Sequence, residues 1–196
     1  MDVKSRREEY TATTRAAILE AATERFGADG FAGTTVDAVA ETARVTKGAV
    51  YHHFSDKADL LEAVFIRLEE RLVTAVATAV EGIADPREEF AKGVDAFLYL
   101  CRDPAYRRIA LEEAPAALGW ARWKAIEERY FLGLVIGSLE AMAGAGLIPA
   151  QTDDLAARML LASLTEAGLA VASASYPDEE RVRVGALIMR FVDALR

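Results

Sequence analysis

The side chains able to do chemistry are unevenly spread along this chain. Residues 46–57 read TKGAVYHHFSDK and hold both histidines, His52 and His53, side by side, with Tyr51 before them and Lys47 and Lys57 near the two ends. Three chemistries could use such a group: metal ligation, acid–base catalysis, or a surface that meets phosphate. Adjacent residues on a helix point about 100° apart and do not readily converge on one ion. Asp56 stands four residues after His52 but is read as a cap candidate of the next helix, so it does not share the histidine's helix face. The chain has no H-E-x-x-H and no G-x-S-x-G, so protease and hydrolase chemistry lack an anchor. The glycine-rich GADGFAGTT at 27–35 lacks the lysine and the preceding strand of a phosphate loop and reads as a turn. No enzyme, catalytic residue, metal or cofactor is therefore expected.

The totals bound the rest. The 196 residues carry a formal net charge of -8, with 53% hydrophobic and 28% charged side chains. That is enough apolar material for a core, and too acidic a surface to bind nucleic acid all over; a local face is required. The single cysteine, Cys101, follows FLYL and reads as a small buried hydrophobe; it permits no internal disulfide. The N-terminus is polar, without the apolar stretch of a signal peptide, and no apolar run reaches the roughly 18 residues of a membrane span. A cytoplasmic protein without membrane contact is expected. KSRR at 4–7 is either a solvated tail or an arm for a minor groove.

Helix signals then follow one another. Ile18, Leu19, Ala22 and Phe26 have helical spacing over 13–27, and GADG stops them. Thr34 and Asp37 have capping-box spacing before VDAVAETA, and Thr46 caps KGAVYHH. Ser55 or Asp56 caps a long fourth helix whose face is Leu61, Phe65, Leu68, Leu72 and Val76. Asp85–Pro86 and Asp103–Pro104 start the fifth and sixth. EAPAALGW interrupts, a long helix covers about 120–143, Thr152 caps an eighth, and a ninth runs over about 178–195. The fold class is all-α: a three-helix helix-turn-helix domain over 1–55 and a helical bundle over 56–196, about nine helices in total.

In the first unit Val36, Val39 and Ala43 give an inward face, Ala40 is small where helices cross, and Val45 and Val50 supply apolar contacts. Thr46, Lys47, Gly48, Tyr51 and His52 are left facing out on one side of the second short helix. That is the part a recognition helix presents to a major groove. Lys47 reaches a guanine edge or a phosphate; Tyr51 and His52 donate to phosphates or pack on a thymine methyl. His53 is either exposed with His52 or packed beside Phe54. Thr35 and Lys57 stand near helix N-termini, which favour anions.

The stretch TTVDAVAETARVTKGAVYHHFSDKADLLEAV closely resembles the DNA-binding region of tetracycline-repressor-like (TetR) regulators, through T-[VI]-x-x-[VI]-A, K-G-x-[VL]-Y-x-[HY]-F and K-x-x-L-L. The resemblance covers about residues 13–66. It implies DNA contacts by Thr35, Thr46, Lys47, Gly48, Tyr51, His52, His53 and Lys57. It also implies a homodimer formed by the last two helices, a palindromic operator in double-stranded DNA, and release by a small molecule bound in the C-terminal domain. One position departs: Arg44 stands where the family usually has glycine. Either the turn takes another geometry, or Arg44 adopts a left-handed backbone at about 1 kcal/mol and reaches a phosphate.

The C-terminal half carries no named chemistry. Aromatic residues there are either core or the wall of an apolar pocket with few polar anchors. The pocket candidates are Phe97, Tyr99, Glu113, Trp120, Trp123, Tyr130 and Glu166. Glu166 shares a helix face with Leu155, Met159, Ala162, Leu169 and Ala170, so it is a pocket anchor, half of a buried ion pair, or a polar contact between protomers. Small residues of the last helices, Ala162, Ser163, Ala167, Gly168, Ala170 and Ala172, suit close helix approach in a two-fold dimer. The expected function is a ligand-released repressor. The alternatives are an activator or effector-independent DNA-binding protein, a helical small-molecule-binding protein that no longer binds DNA, and a structural oligomer.

Overall fold

The computed structural model describes the backbone of residues 3–149 and 154–195 and, within them, the side chains from Glu9 onward. The described residues form nine helices and no strand. They are α1 (Val3–Gly33), α2 (Val36–Thr42), α3 (Lys47–His53), α4 (Lys57–Val80) and α5 (Pro86–Leu100). Next, α6 runs unbroken through Pro104–Tyr106, a π-helical Arg107–Glu113 and Ala114–Leu118. The last three are α7 (Trp120–Gly144), α8 (Asp154–Ser173) and α9 (Pro177–Asp193).

Short helices depend on their ends, and the ends here are made by side chains. The Thr35 hydroxyl accepts the Ala38 N–H at 3.1 Å and Thr46 that of Ala49 at 3.1 Å. Asp56 caps α4 through the Asp59 N–H at 2.8 Å, and Asp85 caps α5 through Glu88 at 2.8 Å. Each such cap is worth about 1 kcal/mol. The cap of α2 is thus Thr35 and not Thr34. Thr34 is buried and donates its hydroxyl to the Gly30 carbonyl at 2.7 Å.

Two boundaries differ from expectation. The first helix starts well before residue 13 and passes through GADG until Gly30, whose φ of 74° only glycine adopts freely. The EAPAALGW interruption is narrower than expected: α6 continues through Pro115, where its π-helical stretch passes into Ala114–Leu118, and the chain breaks only at Gly119 with φ 80° before the long helix starts at Trp120. The cap expected at Thr152 and the side chains of the 4–7 arm lie outside the described residues.

Three cores stack along the molecule. The head core joins Ile18, Ala22 and Phe26 of α1 to Val39 of α2, Val50 of α3, Leu60, Leu61 and Val64 of α4, and Ile109 of α6. A middle core holds Phe65, Leu72, Cys101, Tyr106 and Trp123. The bundle core is built from α5, α7, α8 and α9 around Leu98, Leu139, Leu160, Val171 and Ile188. A boundary drawn at residue 55 therefore falls just before a helix, α4, that closes the head and continues into the second core.

The head is held to the bundle at close range. Arg108 of α6 donates to the carbonyls of Gly27 at 3.3 Å and Ala28 at 2.6 Å. A Cβ on Gly30 would lie 2.5 Å from the Glu113 carboxylate, and one on Gly27 would lie 3.1 Å from the Ala105 side chain. These two glycines let α6 lie against α1. Arg67 and Arg71 of α4 reach Glu20 at 2.6 and 3.2 Å. Of the later helices, α8 is long and apolar enough to cross a membrane by length and composition, yet Ala157, Leu160, Leu161, Ala167 and Val171 pack it into the bundle.

Candidate nucleic-acid interface and ligand cavity

The turn between α2 and α3 decides how the outward residues are presented. The Val45 N–H bonds the Ala40 carbonyl at 2.9 Å and the Arg44 N–H bonds that of Glu41 at 3.1 Å. This paired closure requires a left-handed residue between them. Arg44 supplies it with φ 56°, alone among non-glycine described residues. The strain of about 1 kcal/mol is accepted, and the side chain is turned outward and exposed.

Thr35, Arg44, Thr46, Lys47, Gly48, Tyr51 and His52 are all exposed around α3. The Thr35 and Thr46 hydroxyls use a lone pair for their caps and keep a proton to donate. Lys47 bonds Asp37 at 2.8 Å, and that hydrogen bond holds its ammonium above the ordinary lysine range. Both partners are exposed, so the pair contributes little and yields readily to a phosphate. A Cβ on Gly48 would meet nothing nearer than the Thr46 hydroxyl at 3.8 Å; the fold does not need glycine there. His53 is half-buried against Phe54, and burial first, then His52 and Arg15, pushes it below the usual histidine value.

Lys57 is placed otherwise than expected. Its ammonium donates to the Phe31 carbonyl at 2.7 Å and the Thr34 carbonyl at 3.0 Å and lies over the Phe31 ring at 4.3 Å. Carbonyls at a helix end have no partner within the helix, and the first turn of α4 stands beside them. Lys57 thereby joins α1 to α4.

A cavity of about 470 Å³ opens between α4, α5, α6, α7 and α8. Phe65, Phe90, Phe97, Phe131 and Trp123 form much of its wall. Ala77, Gly133, Gly137 and Ala141 line its exposed side, and a Cβ on either glycine would meet nothing within 4 Å. Three carboxyls also line it: Glu69, Glu89 and Glu127. Glu69 is 2% exposed and Glu127 6%. Glu69 accepts the Tyr106 hydroxyl at 3.2 Å, and burial pushes its carboxyl up to about 8. At neutral pH it is mostly a neutral acid. Burial also raises the Tyr106 hydroxyl and the Cys101 thiol, so both stay protonated. Glu127 is partnered differently: Lys124 lies 2.9 Å away and the Thr165 hydroxyl donates to it.

Of the seven pocket candidates, the structure brings only Phe97 and Trp123 to this cavity. The Trp123 indole N–H donates to the Ala110 carbonyl at 2.9 Å. Trp120 stacks on Trp123 at 4.9 Å but is 66% exposed, because it starts α7 at the surface. Tyr99 is exposed beneath Arg102 and Arg181. Glu113 turns to Arg108 and Gly30, and Tyr130 donates to Glu70 at 3.1 Å. Glu166 is exposed on the outer face of α8, does not line the cavity, and has no ion-pair partner among the described residues of the protomer. Gly168, grouped above with the residues that suit a dimer, instead lets α8 approach α5: a Cβ there would lie 2.9 Å from the Cys101 sulfur.

The residues missed were Glu69 and Glu127. Glu69 was legible, since it falls between Phe65 and Leu72 on the apolar stripe of α4. The argument applied to Glu166, a carboxylate on an apolar face, singles out Glu69 more strongly. Glu127 had no such mark, because its burial depends on how α7 meets α8.

Comparison with known proteins bears on both regions. A family described as "Bacterial regulatory proteins, tetR family" matches residues 18–64, and one described as "Tetracyclin repressor-like, C-terminal domain" matches residues 87–195. The HTH-type transcriptional regulator TtgR of Pseudomonas putida is 46% identical over 65 residues, which are 33% of this chain and 31% of that protein. The match thus spans about a third of the relative's length. A TetR-family transcriptional regulator from Pectobacterium atrosepticum, known by crystal structure, is 26% identical over 95% of this chain and 96% of its own, with a TM-score of 0.81. FadR from Bacillus subtilis, solved in complex with stearoyl-CoA, covers 92% of this chain and 98% of its own at 18% identity and a TM-score of 0.74, a likeness of fold alone.

Proposed function

The chain belongs to the TetR family of transcription regulators, and from that premise we propose that it is a homodimeric repressor that reads a palindromic operator and is released by a small molecule. The family and its relatives are regulators rather than enzymes. The observation that carries the proposal is the exposed group Thr35, Arg44, Thr46, Lys47, Gly48, Tyr51 and His52 on capped short helices in an acidic protein. Lys47 and Tyr51 meet bases or phosphates at the start and middle of α3, and Arg44 and Thr35 meet the backbone on either side. Such a protein works in the cytoplasm, where its operator is.

Two heads are needed for a palindrome. The outer faces of α8 and α9 expose Met159, Ala162, Val182, Leu187 and Phe191. An apolar face of that kind, rimmed by Glu166 and Arg183, suits its own two-fold copy. The two α3 helices then enter successive major grooves about 34 Å apart.

Release follows from elements that touch both the cavity and the head. Phe65 and Glu69 of α4 line the cavity, while Leu60, Leu61 and Val64 of the same helix close the head core. Tyr106 and Ala110 of α6 line it, while Ile109 packs in the head core and Arg108 holds α1. An occupant that favours one position of α4 and α6 alters the separation of the two heads, provided it binds the two states unequally. The ligand in the FadR structure supports reading a cavity of this fold as an effector site.

Selection of bound duplexes from a random pool, at two salt concentrations, tests the reading. A palindrome whose affinity falls steeply with salt is expected. A folded dimer that enriches no sequence would instead favour a helical binding protein without DNA.

A further inference from the structure

The cavity wall is one-sided in charge. Its described lining carries Glu69, Glu89 and Glu127 and no lysine, arginine or histidine. Lys124 neutralises Glu127 from one side, but among the described residues Glu69 has only the Tyr106 hydroxyl, on one oxygen, and is 2% exposed. An anion would meet three carboxyls. A neutral apolar occupant would fill the space and leave Glu69 with its single partner. A cation finds both a carboxyl to pair with and the faces of Phe65, Phe97, Phe131 and Trp123, whose π-electrons attract positive charge.

We propose that the cavity takes a lipophilic ammonium cation, its apolar body between the aromatic walls and its charged nitrogen against Glu69 with Glu127 nearby. This rests on the reading of the cavity as a ligand site and adds the ligand's charge class. The empty site keeps Glu69 as a neutral acid, which avoids an unpaired buried charge. The arriving cation displaces that proton to solvent and pairs with the carboxylate. The groups facing Glu69 are Tyr106 of α6, Cys101 at the end of α5, and Glu127 with Lys124 and Tyr130 on α7; Glu89 of α5 lines the same space. Cys101 and Tyr106 are pushed up by burial and do not titrate near neutrality.

The test uses one apolar body with three heads: 3,3-diphenylpropylamine, 3,3-diphenylpropan-1-ol and 3,3-diphenylpropanoate, titrated into the full-length dimer. The amine is expected to bind at least about tenfold tighter than the alcohol, and the acid weakest. Amine affinity should rise as pH goes from about 6 to 8, by up to about tenfold per unit, and level off above. Glu69→Gln should remove both the preference and the rise. Equal binding of the three, tighter binding of the acid, no binding of the amine, or a flat pH profile overturns the proposal. The ranking in the unaltered protein decides even if the variant does not fold. Operator affinity, measured on the selected duplex with amine saturating, separates the two readings. Undiminished DNA binding overturns the effector role while the cation assignment stands; release by the acid alone does the reverse.

Discussion

The head and the bundle bury their helices by different rules. In the head, the one buried polar residue among those described is Thr34, satisfied by the Gly30 carbonyl, and the rest of the core is apolar and closed. In the bundle, two glutamates are buried beside a cavity of about 470 Å³. The head also takes its strain in one place, the left-handed Arg44, where the α2–α3 turn is set. The bundle leaves space and unbalanced charge where a ligand would supply the missing partner. A surface that reads DNA must be rigid before it meets its target, whereas a cavity that senses must gain something when filled. The relatives divide in the same way: 46% identity is reached over 65 residues, while likeness to solved structures along the whole chain stands at 26% or lower in the cases described.

Variants can sharpen this contrast or break it. The largest effect should come from the outer bundle face. Replacing Leu187 and Phe191 together by aspartate should dissociate the dimer in sedimentation and lower operator affinity by about a hundredfold or more, since one head loses its tethered neighbour. A double variant that stays dimeric removes α9 from the interface.

Next comes the buried acid. Glu69 holds its proton up to about 8 when folded, but titrates in the ordinary carboxylate range when unfolded. The folded state therefore binds the extra proton between those values, and stability falls as pH rises through that window, by up to about 1.4 kcal/mol per unit. Urea unfolding at pH 5, 7 and 9 should show this fall in the wild type and a smaller one in Glu69→Gln. Identical slopes would mean that Glu69 is already ionised in the folded protein.

On the head, Lys47→Ala or Tyr51→Ala should weaken operator binding by about 1–3 kcal/mol with dimer and helicity unchanged. Unchanged affinity in both would discard the assigned face. The smallest effects are expected at the turn. Arg44→Val, a β-branched residue forced to φ 56°, should cost about 1–2 kcal/mol in thermal unfolding, while Arg44→Gly should be neutral within about 0.5 kcal/mol because relief of strain offsets its looser unfolded chain. Equal stabilities would show that the turn relaxes to another geometry.

Most of the architecture was legible because helices of this chain are marked locally. Asp85, Asp103, Thr46 and Asp56 stand at helix starts, and the stripes of α4 and α5 repeat at helical spacing. The head was legible further, since its outward residues are what remains once the inward ones are assigned. The cavity was not, because a void is a property of several helices together. Trp120 and Trp123 are three residues apart in sequence, yet one is exposed and the other lines the wall; only the position of α6 decides this. Tyr99 likewise meets Arg181 of α9, and Glu113 lies against Gly30 of α1, neighbours that local pattern does not disclose.

The continuity of α4 bears on how such regulators can be recombined. The helix begins as the lid of the head core, with Leu60, Leu61 and Val64, and ends beside the cavity with Val76 and Val80. A chimera spliced at residue 55 would set Ile18 and Phe26 against a foreign helix and lose the seat of Ile109. A graft that keeps its operator choice must carry the first two turns of α4 with it, and it must match Arg108 of α6 to the carbonyls at the end of the incoming α1. Exchange of sensing and reading functions between such proteins is thus a problem of joinery along one helix, not of linker length.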